Sequence, residues 1–301
     1  MTTTPQPGGP VLIAGASGLI GSHLRRHLAE RGIATRVLVR RPARGADEVQ
    51  WDPTAAMLPA AAFEGVSAVL VLSGVGVADR RWTRRRREAI LSSRVGSVDL
   101  VARTMAEHGI AARLVTASAV GYYGEGGQNR LTESAPAGNT FLARVCQAWE
   151  GAAAPAADAG IPVAHARTGI VLTPEGGALG RLLPLLRLGL AGPLGSGRQW
   201  WPWITLEDEI RAMAHLLESE VVGPVNLTAP EPARNADLTR ALARELHRPA
   251  FLPVPGFALR LAVGGFAAEL LASQNVVPEV LLADGFEFTS PDIEAAAQHL
   301  L

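Results

Sequence analysis

The chain has no lysine: all 28 of its basic residues are arginine. That excludes a Schiff-base mechanism and a P-loop, each of which needs a lysine amine. A single cysteine, Cys146, rules out an internal disulfide and fits a reducing compartment. Tyrosine occurs only at Tyr122 and Tyr123, so any phenol used in chemistry is one of these two. No uninterrupted apolar run approaches the ~18 residues of a membrane span. Neither sign of charge is in excess, because 28 acidic residues balance the arginines. This leaves no general pull toward nucleic acid or an anionic membrane. Met1 to Pro10 is polar and rich in proline and glycine, without the basic start and apolar stretch of a secretion signal. The expectation is a disordered tail over residues 1–10 on a cytoplasmic protein, with no metal site.

What is present is an ordinary globular chain. With 301 residues, 48% hydrophobic and 19% charged, it can bury roughly three quarters of its unfolded surface. Val11–Ala14, Thr35–Val39, Ala68–Leu72 and Arg113–Thr116 are continuous β-rich runs, as buried parallel strands require. Leu19–Arg31 and Thr83–His108 carry apolar positions at helical spacing. A helix over Phe141–Ala159 and a strand at Val163–Ala166 continue the alternation. The pattern predicts an α/β doubly wound parallel sheet of Rossmann type over 11–175. Glycine and proline then punctuate 176–202, and a helix starts near Thr205. The segment 176–301 reads as a smaller, mostly helical C-terminal lobe, with a return to the sheet around 200–230.

The most informative motif follows the first strand. Gly15-Ala-Ser-Gly18-Leu-Ile-Gly21 leads from Val11–Ala14 into an amphipathic helix. Gly15 suits the tight turn, Gly18 lets the backbone approach a pyrophosphate, and Gly21 lets helix and strand pack closely. The helix N-terminus adds free N–H groups and about half a positive charge for the anion. Ser17, Leu19 and Ile20 belong to the same cradle. The spacing is that of short-chain dehydrogenases/reductases. The second strand ends in Val39-Arg40-Arg41, where an NAD site usually carries an acid for the ribose 2′-hydroxyl. Arg40 at that place favours a 2′-phosphate, hence NADP. Arg94 interrupts the apolar stripe of Ile90, Val98, Val101 and Met105, so it faces inward and needs a cofactor group or an internal acid as partner. Arg84–Arg87 reads as a solvated helix start rather than a nucleic-acid patch.

Further landmarks are Val49-Gln-Trp-Asp-Pro53, Leu72-Ser-Gly74, Arg81-Trp82, Ser93-Arg94 and Ser118-Ala-Val-Gly-Tyr-Tyr-Gly124. Phe141-Leu-Ala-Arg-Val-Cys-Gln-Ala-Trp-Glu150, Gly189-Leu-Ala-Gly-Pro-Leu-Gly-Ser-Gly197, Trp203-Ile204 and Asp284-Gly-Phe-Glu-Phe288 complete the set. On these the chain resembles the atypical extended short-chain dehydrogenases/reductases called epimerase family proteins, which are nucleoside-diphosphate-sugar epimerase-like. The resemblance spans nearly the whole chain and implies an NADP-binding domain with a C-terminal substrate lobe. It implies Arg40 at the 2′-phosphate and Asp52 near the adenine. Leu72, Ser73 and Gly74 would line the cofactor with Arg94 beside it, and Gly169, Ile170 and Val171 would face the nicotinamide.

Relatives of this kind use Tyr-x-x-x-Lys on one helical face, the lysine cation lowering the tyrosine's pKa. The family's layout implies Leu142 at the tyrosine position and Cys146 at the lysine position, and neither can do that work. Candidate replacements are Ser118 at the end of its strand, Tyr122, Tyr123 and Cys146, with Glu125 and Asp208 as further acids. His165 reads as a core histidine. Trp200, Trp201 and Trp203 around Pro202 read either as a substrate-stacking group or as a seal between lobes. Two readings stay open: an NADP-dependent oxidoreductase or epimerase-like enzyme on a small polar substrate, and a non-catalytic NADP-binding sensor or interaction protein. A Rossmann methyltransferase fits poorly, since Arg40 stands where it would want an acid. The candidate assembly is a homodimer.

Overall fold

The computed structural model describes residues 8–301, so most of the expected N-terminal tail lies outside the described residues. Gly9 and Pro10 are tied down, their carbonyls accepting from the Ser67 hydroxyl and Ser67 N–H. Strand β1 (Val11–Ala14) leads into helix α1 (Leu19–Glu30), followed by β2 (Thr35–Val39), β3 (Glu48–Gln50) and β4 (Ala68–Val71). Helix α2 (Arg84–Glu107) and β5 (Arg113–Ala119) come next, then a 3-10 turn (Val120–Tyr123) and β6 (Arg130–Leu131). Two helices, α3 (Phe141–Gly151) and α4 (Ala154–Asp158), precede β7 (Val163–Thr168) and β8 (Ile170–Leu172). The sequence predicts one helix across 141–159. The structure breaks it at Ala152 and Ala153, with Pro155 in the first turn of α4, where its missing N–H costs nothing.

The C-terminal part opens with α5 (Gly177–Arg187), β9 (Trp200–Trp201), β10 (Trp203–Thr205) and α6 (Leu206–Glu218). After β11 (Gly223–Leu227) and β12 (Ala233–Arg234) come α7 (Asn235–Glu245), α8 (Gly256–Val263) and α9 (Ala267–Leu271). The chain ends with β13 (Asn275–Val276), α10 (Glu279–Ala283) and α11 (Ile293–Leu300). No helix among the described residues is long and apolar enough to cross a membrane.

Seven strands form one parallel sheet in the order β11-β7-β5-β4-β1-β2-β3. Its central strands are buried on both faces, and their residues alternate between two cores. Leu12 and Ala14 of β1 pack with Val98, Val101 and Met105 of α2 and Trp149 of α3. Val11 and Ile13 pack with Leu24 and Leu28 of α1 and Ile210 and Met213 of α6. Two helical layers on one parallel sheet make the doubly wound Rossmann architecture. A third core, with Leu183, Leu186, Trp201, Trp203, Leu242 and Ala296, holds the helical C-terminal region together. Helices α2, α3, α6 and α11 are each capped by a side chain, Thr83, Thr140, Thr205 and Asp292. Helix α1 is not: Gly18 stands at its N-cap.

Candidate functional site

That bare N-cap is the start of the site. Gly15 holds φ at 89°, and a Cβ on it would lie 2.9 Å from the Leu72 carbonyl carbon and the Ser73 nitrogen. A Cβ on Gly21 would lie 2.5 Å from the Gly15 carbonyl oxygen. Both glycines are therefore required by the backbone itself. Gly18 differs, since its φ is −74° and a Cβ there would meet only the Gly15 oxygen at 3.4 Å. Ser17 and Gly18 face solvent, with Leu19 and Ile20 half-buried behind them. Ser22 N–H is already taken by the Gly18 carbonyl, so the unclaimed donors are those of the first turn beside Leu19 and Ile20. Open space, free N–H groups and a positive helix end fit a diphosphate.

Beyond β2 the two arginines have separate fates. Arg41 is held by Glu48 through two hydrogen bonds of 2.6 and 2.7 Å. The Arg41 guanidinium holds the Glu48 carboxyl down at about 2. Arg40 is exposed, with no ion pair among the described residues. Asp52 uses Oδ1 to accept from Thr54 and Ala55 N–H, so that its carboxylate shapes its own turn.

At the end of β4, Leu72 and Ser73 are half-buried and Gly74 lies under Arg94, whose Cζ would be 3.1 Å from a Cβ at Gly74. Arg94 donates to the Val75 and Ile90 carbonyls at 2.9 and 3.1 Å and lies 4.9 Å from the Trp149 ring centroid. It has no carboxylate partner among the described residues, and burial works against its charge.

The ends of β5 and β7 carry a buried network. Ser118 donates to Glu150 Oε1 at 2.6 Å, and Arg167 clamps both Glu150 oxygens at 2.8 Å. Arg167 also donates to the Tyr123 oxygen at 2.9 Å, and Tyr123 donates onward to Asn226 Oδ1 of β11 at 2.7 Å. The Tyr122 ring centroid sits 3.5 Å from the same guanidinium. Burial opposes the Arg167 cation, yet the Glu150 carboxylate and the Tyr123 oxygen outweigh it and raise its pKa. Burial pushes Tyr123 up to about 12, against the pull of Arg167. Cys146 is pushed up to about 12 by burial, with the Glu150 charge adding to it. Its thiol therefore stays protonated and un-nucleophilic at neutral pH.

Leu142 and Cys146 share a face of α3 that the 3-10 turn covers. A Cβ on Gly121 would lie 3.2 Å from Leu142 Cβ and 4.0 Å from Cys146 Sγ. Tyr122 is the exception in this cluster: half-buried, its hydroxyl has no protein partner among the described residues.

At the far end, the Thr168 hydroxyl donates to Glu209 Oε1 at 2.8 Å. Glu209 is fully buried and pushed up to about 8, while Glu209 Oε2 and Thr228 Oγ1 have no partner among the described residues. Gly169 passes so close to Pro202 that a Cβ would be 2.6 Å from its oxygen, and Ile170 and Val171 pair with Trp203 and Ile204.

Other expected groups are occupied with structural tasks. Asp208 accepts from Thr289, Ser290 and Arg211, and Glu125 accepts from Gly127 and Ser273 N–H. His165 Nδ1 bonds Thr116 Oγ1 at 2.8 Å inside the sheet. Trp201 and Trp203 are buried in the C-terminal core, and half-buried Trp200 meets Gln128 and Arg234. Sequence reasoning missed Arg167, Asn226 and Glu209. Arg167 left one signal, a permanent charge near the end of a central strand, which can be buried only with a partner.

A parallel sheet with an uncapped glycine turn at the end of its first strand defines a dinucleotide-binding protein of Rossmann type. The chain belongs to the NAD dependent epimerase/dehydratase family, whose match covers residues 11–227. Residues 254–300 match a domain of unknown function, DUF1731. Epimerase family protein Mb2239 of Mycobacterium bovis is 42% identical over 280 residues, covering 92% of this chain and 93% of that protein. Epimerase family protein SDR39U1 of Bos taurus is 35% identical over 298 residues, covering 97% and 99%. The crystal structure of human epimerase family protein SDR39U1 with NADPH has a TM-score of 0.88 at 32% identity, covering 97% of this chain and 98% of that one.

Proposed function

We propose that this chain binds NADP(H) and exchanges a hydride and a proton with a small hydroxy or keto compound, a nucleotide sugar among the candidates, with the Tyr122 hydroxyl as the proton-carrying group. NADPH in the human relative supports the cofactor. So does free Arg40 beside paired Arg41, since a 2′-phosphate needs an unengaged guanidinium. The Gly15–Gly21 turn would hold the pyrophosphate, and Gly169 to Val171 would line the nicotinamide end. The bound nicotinamide would supply or accept the hydride.

The single observation that carries the proton assignment is the state of the hydroxyls and the thiol around β5. Ser118 is bonded to Glu150, Tyr123 is spent on Arg167 and Asn226, and the Cys146 thiol is buried. Tyr122 keeps its hydroxyl free and has Arg167 against its ring. In the reducing direction Tyr122 gives its proton to the substrate oxygen and regains one from water. Arg167, whose guanidinium lies 3.5 Å from the ring centroid, holds the Tyr122 ring in place through a cation–π contact.

The test is NADPH oxidation against a panel of ketones, aldehydes and nucleotide sugars, with the Tyr122→Phe variant alongside. Turnover should fall at least about a hundredfold in the variant with NADPH affinity unchanged. Full activity in Tyr122→Phe overturns the assignment. The second reading, a cofactor-binding sensor without turnover, is favoured by Leu142 and Cys146 filling the helix face used for proton transfer in related enzymes. Failure of hydride transfer in single-turnover experiments on every panel member, with intact NADPH binding, favours that reading.

A further inference from the structure

Among the described residues twelve large apolar side chains are exposed, and six of them, including the four most exposed, come from one part of the C-terminal region. The four most exposed are Leu188 (70%), Phe251 (70%), Phe257 (72%) and Leu261 (75%), with Leu190 and Leu252 also exposed. They come from two stretches that the fold sets side by side. A Cβ on Gly189 would lie 3.2 Å from Pro249, the Val254 N–H donates to the Pro193 carbonyl at 2.9 Å, and Leu194 bridges Val254. Phe257 and Leu261 follow on α8 at i and i+4, so they stand on one side of that helix. Exposed apolar side chains scattered singly are ordinary on a protein surface, whereas six drawn from two adjoining stretches mark an interaction site.

Charge is equally concentrated. Arg181–Leu190 and Arg248–Val263 contain Arg181, Arg187, Arg248 and Arg260 and no carboxylate. The run Arg80-Arg-Trp-Thr-Arg-Arg-Arg-Arg87 abuts the patch, because Arg81 donates to the Leu261 carbonyl at 2.5 Å and Arg181 donates to the Ala78 carbonyl at 3.0 Å. Neighbouring ion pairs use other arginines: Arg84 with Glu88, Arg86 with Asp79, Arg244 with Glu294. Arg80, Arg85, Arg187, Arg248 and Arg260 have no carboxylate partner among the described residues. The zero net charge of the whole chain hides this local excess.

We infer that this face of the C-terminal region docks on an anionic lipid surface, with Phe251, Phe257, Leu188 and Leu261 entering the acyl boundary and the arginines meeting lipid phosphates. A second copy of the chain is disfavoured, since an isologous contact would set the arginines against one another. The apolar positions arise from a helix end, two extended segments and a second helix, and they form no single seam for a partner helix. A fluid surface needs no matching shape. Arginine suits it, burying its stem while its guanidinium stays with the headgroups.

The experiment is co-sedimentation of the full-length protein, with and without NADPH, using vesicles of phosphatidylglycerol mixed equally with phosphatidylcholine, and of phosphatidylcholine alone. Binding should appear only with the anionic vesicles and weaken as salt rises. Phe257→Ser with Leu261→Ser, both at exposed positions, should lower it at least about tenfold. Their melting temperature and NADPH affinity should stay unchanged. Arg80→Gln with Arg85→Gln should weaken binding without altering the fold. Absence of binding to anionic vesicles, or wild-type binding by the serine pair, overturns the inference. So does a dimer in sedimentation velocity that the serine pair dissolves, or capture of an acidic amphipathic peptide by a protein that ignores vesicles.

Discussion

Arg167 and Glu150 meet in a two-pronged ion pair, Nε to Oε1 and Nη2 to Oε2 both at 2.8 Å, beneath the ring of Tyr122. Seventeen residues apart in the chain, they join the last residues of a central strand to the end of α3. A desolvated pair of this kind is tolerated because each charge satisfies the other, and it is fragile to loss of one partner.

Arg167→Met should therefore destabilise the protein by about 3–5 kcal/mol, because Glu150 is left buried without its cation. The double variant Arg167→Met with Glu150→Gln should recover much of that loss, since no charge is then stranded. Urea unfolding of the three proteins checks it. If the double variant is as unstable as the sum of the single ones, the pair is not coupled as the geometry requires.

Arg40 should decide between cofactors. Arg40→Ala should weaken NADPH binding roughly ten- to a hundredfold, the worth of a charge-assisted hydrogen bond, and leave NADH affinity nearly unaltered. Fluorescence titration with both cofactors tests this, and equal losses would count against a 2′-phosphate contact.

Two glycines of one turn should respond differently to valine. Gly18→Val should leave the protein folded, given φ of −74° and no contact closer than 3.4 Å for its Cβ, while abolishing the NADPH-induced rise in melting temperature. Gly21→Val should prevent stable folding, because its Cβ would lie 2.5 Å from a backbone oxygen. A retained cofactor shift in Gly18→Val means the pyrophosphate does not approach there.

Glu209 should make stability fall with rising pH. Its folded pKa is raised from 4.5 to about 8, so the native state holds a proton that the unfolded chain has released between those values. The contribution is complete below pH 4.5, declines through the window, and is lost once pH passes about 8. Glu209→Gln cannot ionise and should show a flatter profile, melting higher than the parent at pH 8 and above. Identical slopes from pH 5 to pH 9 would place the titration elsewhere.

Much of the sheet was legible because parallel strands buried on both faces are apolar at every position, and that signal is local. β1 and β4 stand out this way, and β2 does so over Val37–Val39. Short β3 and β11, which opens with Gly-Pro, left no such run. The phosphate turn was legible for a similar reason, since Gly15 and Gly21 answer to atoms a few residues away or on the next strand.

By itself, then, the amino-acid order determined the alternating strands and helices, the glycine turn after β1, the cationic end of β2, and the lack of any lysine for chemistry. These depend on neighbours in sequence, where periodicity and backbone sterics act. Tertiary structure alone decided that Arg41, not Arg40, is neutralised, that Ser118 points at Glu150, and that Tyr123 is spent on Asn226 while Tyr122 is left free. It also decided that Glu209 loses all contact with water. Hydrogen bonding and desolvation act over a few ångströms of space, and Tyr123 and Asn226 are 103 residues apart in the chain. No local pattern encodes such a meeting.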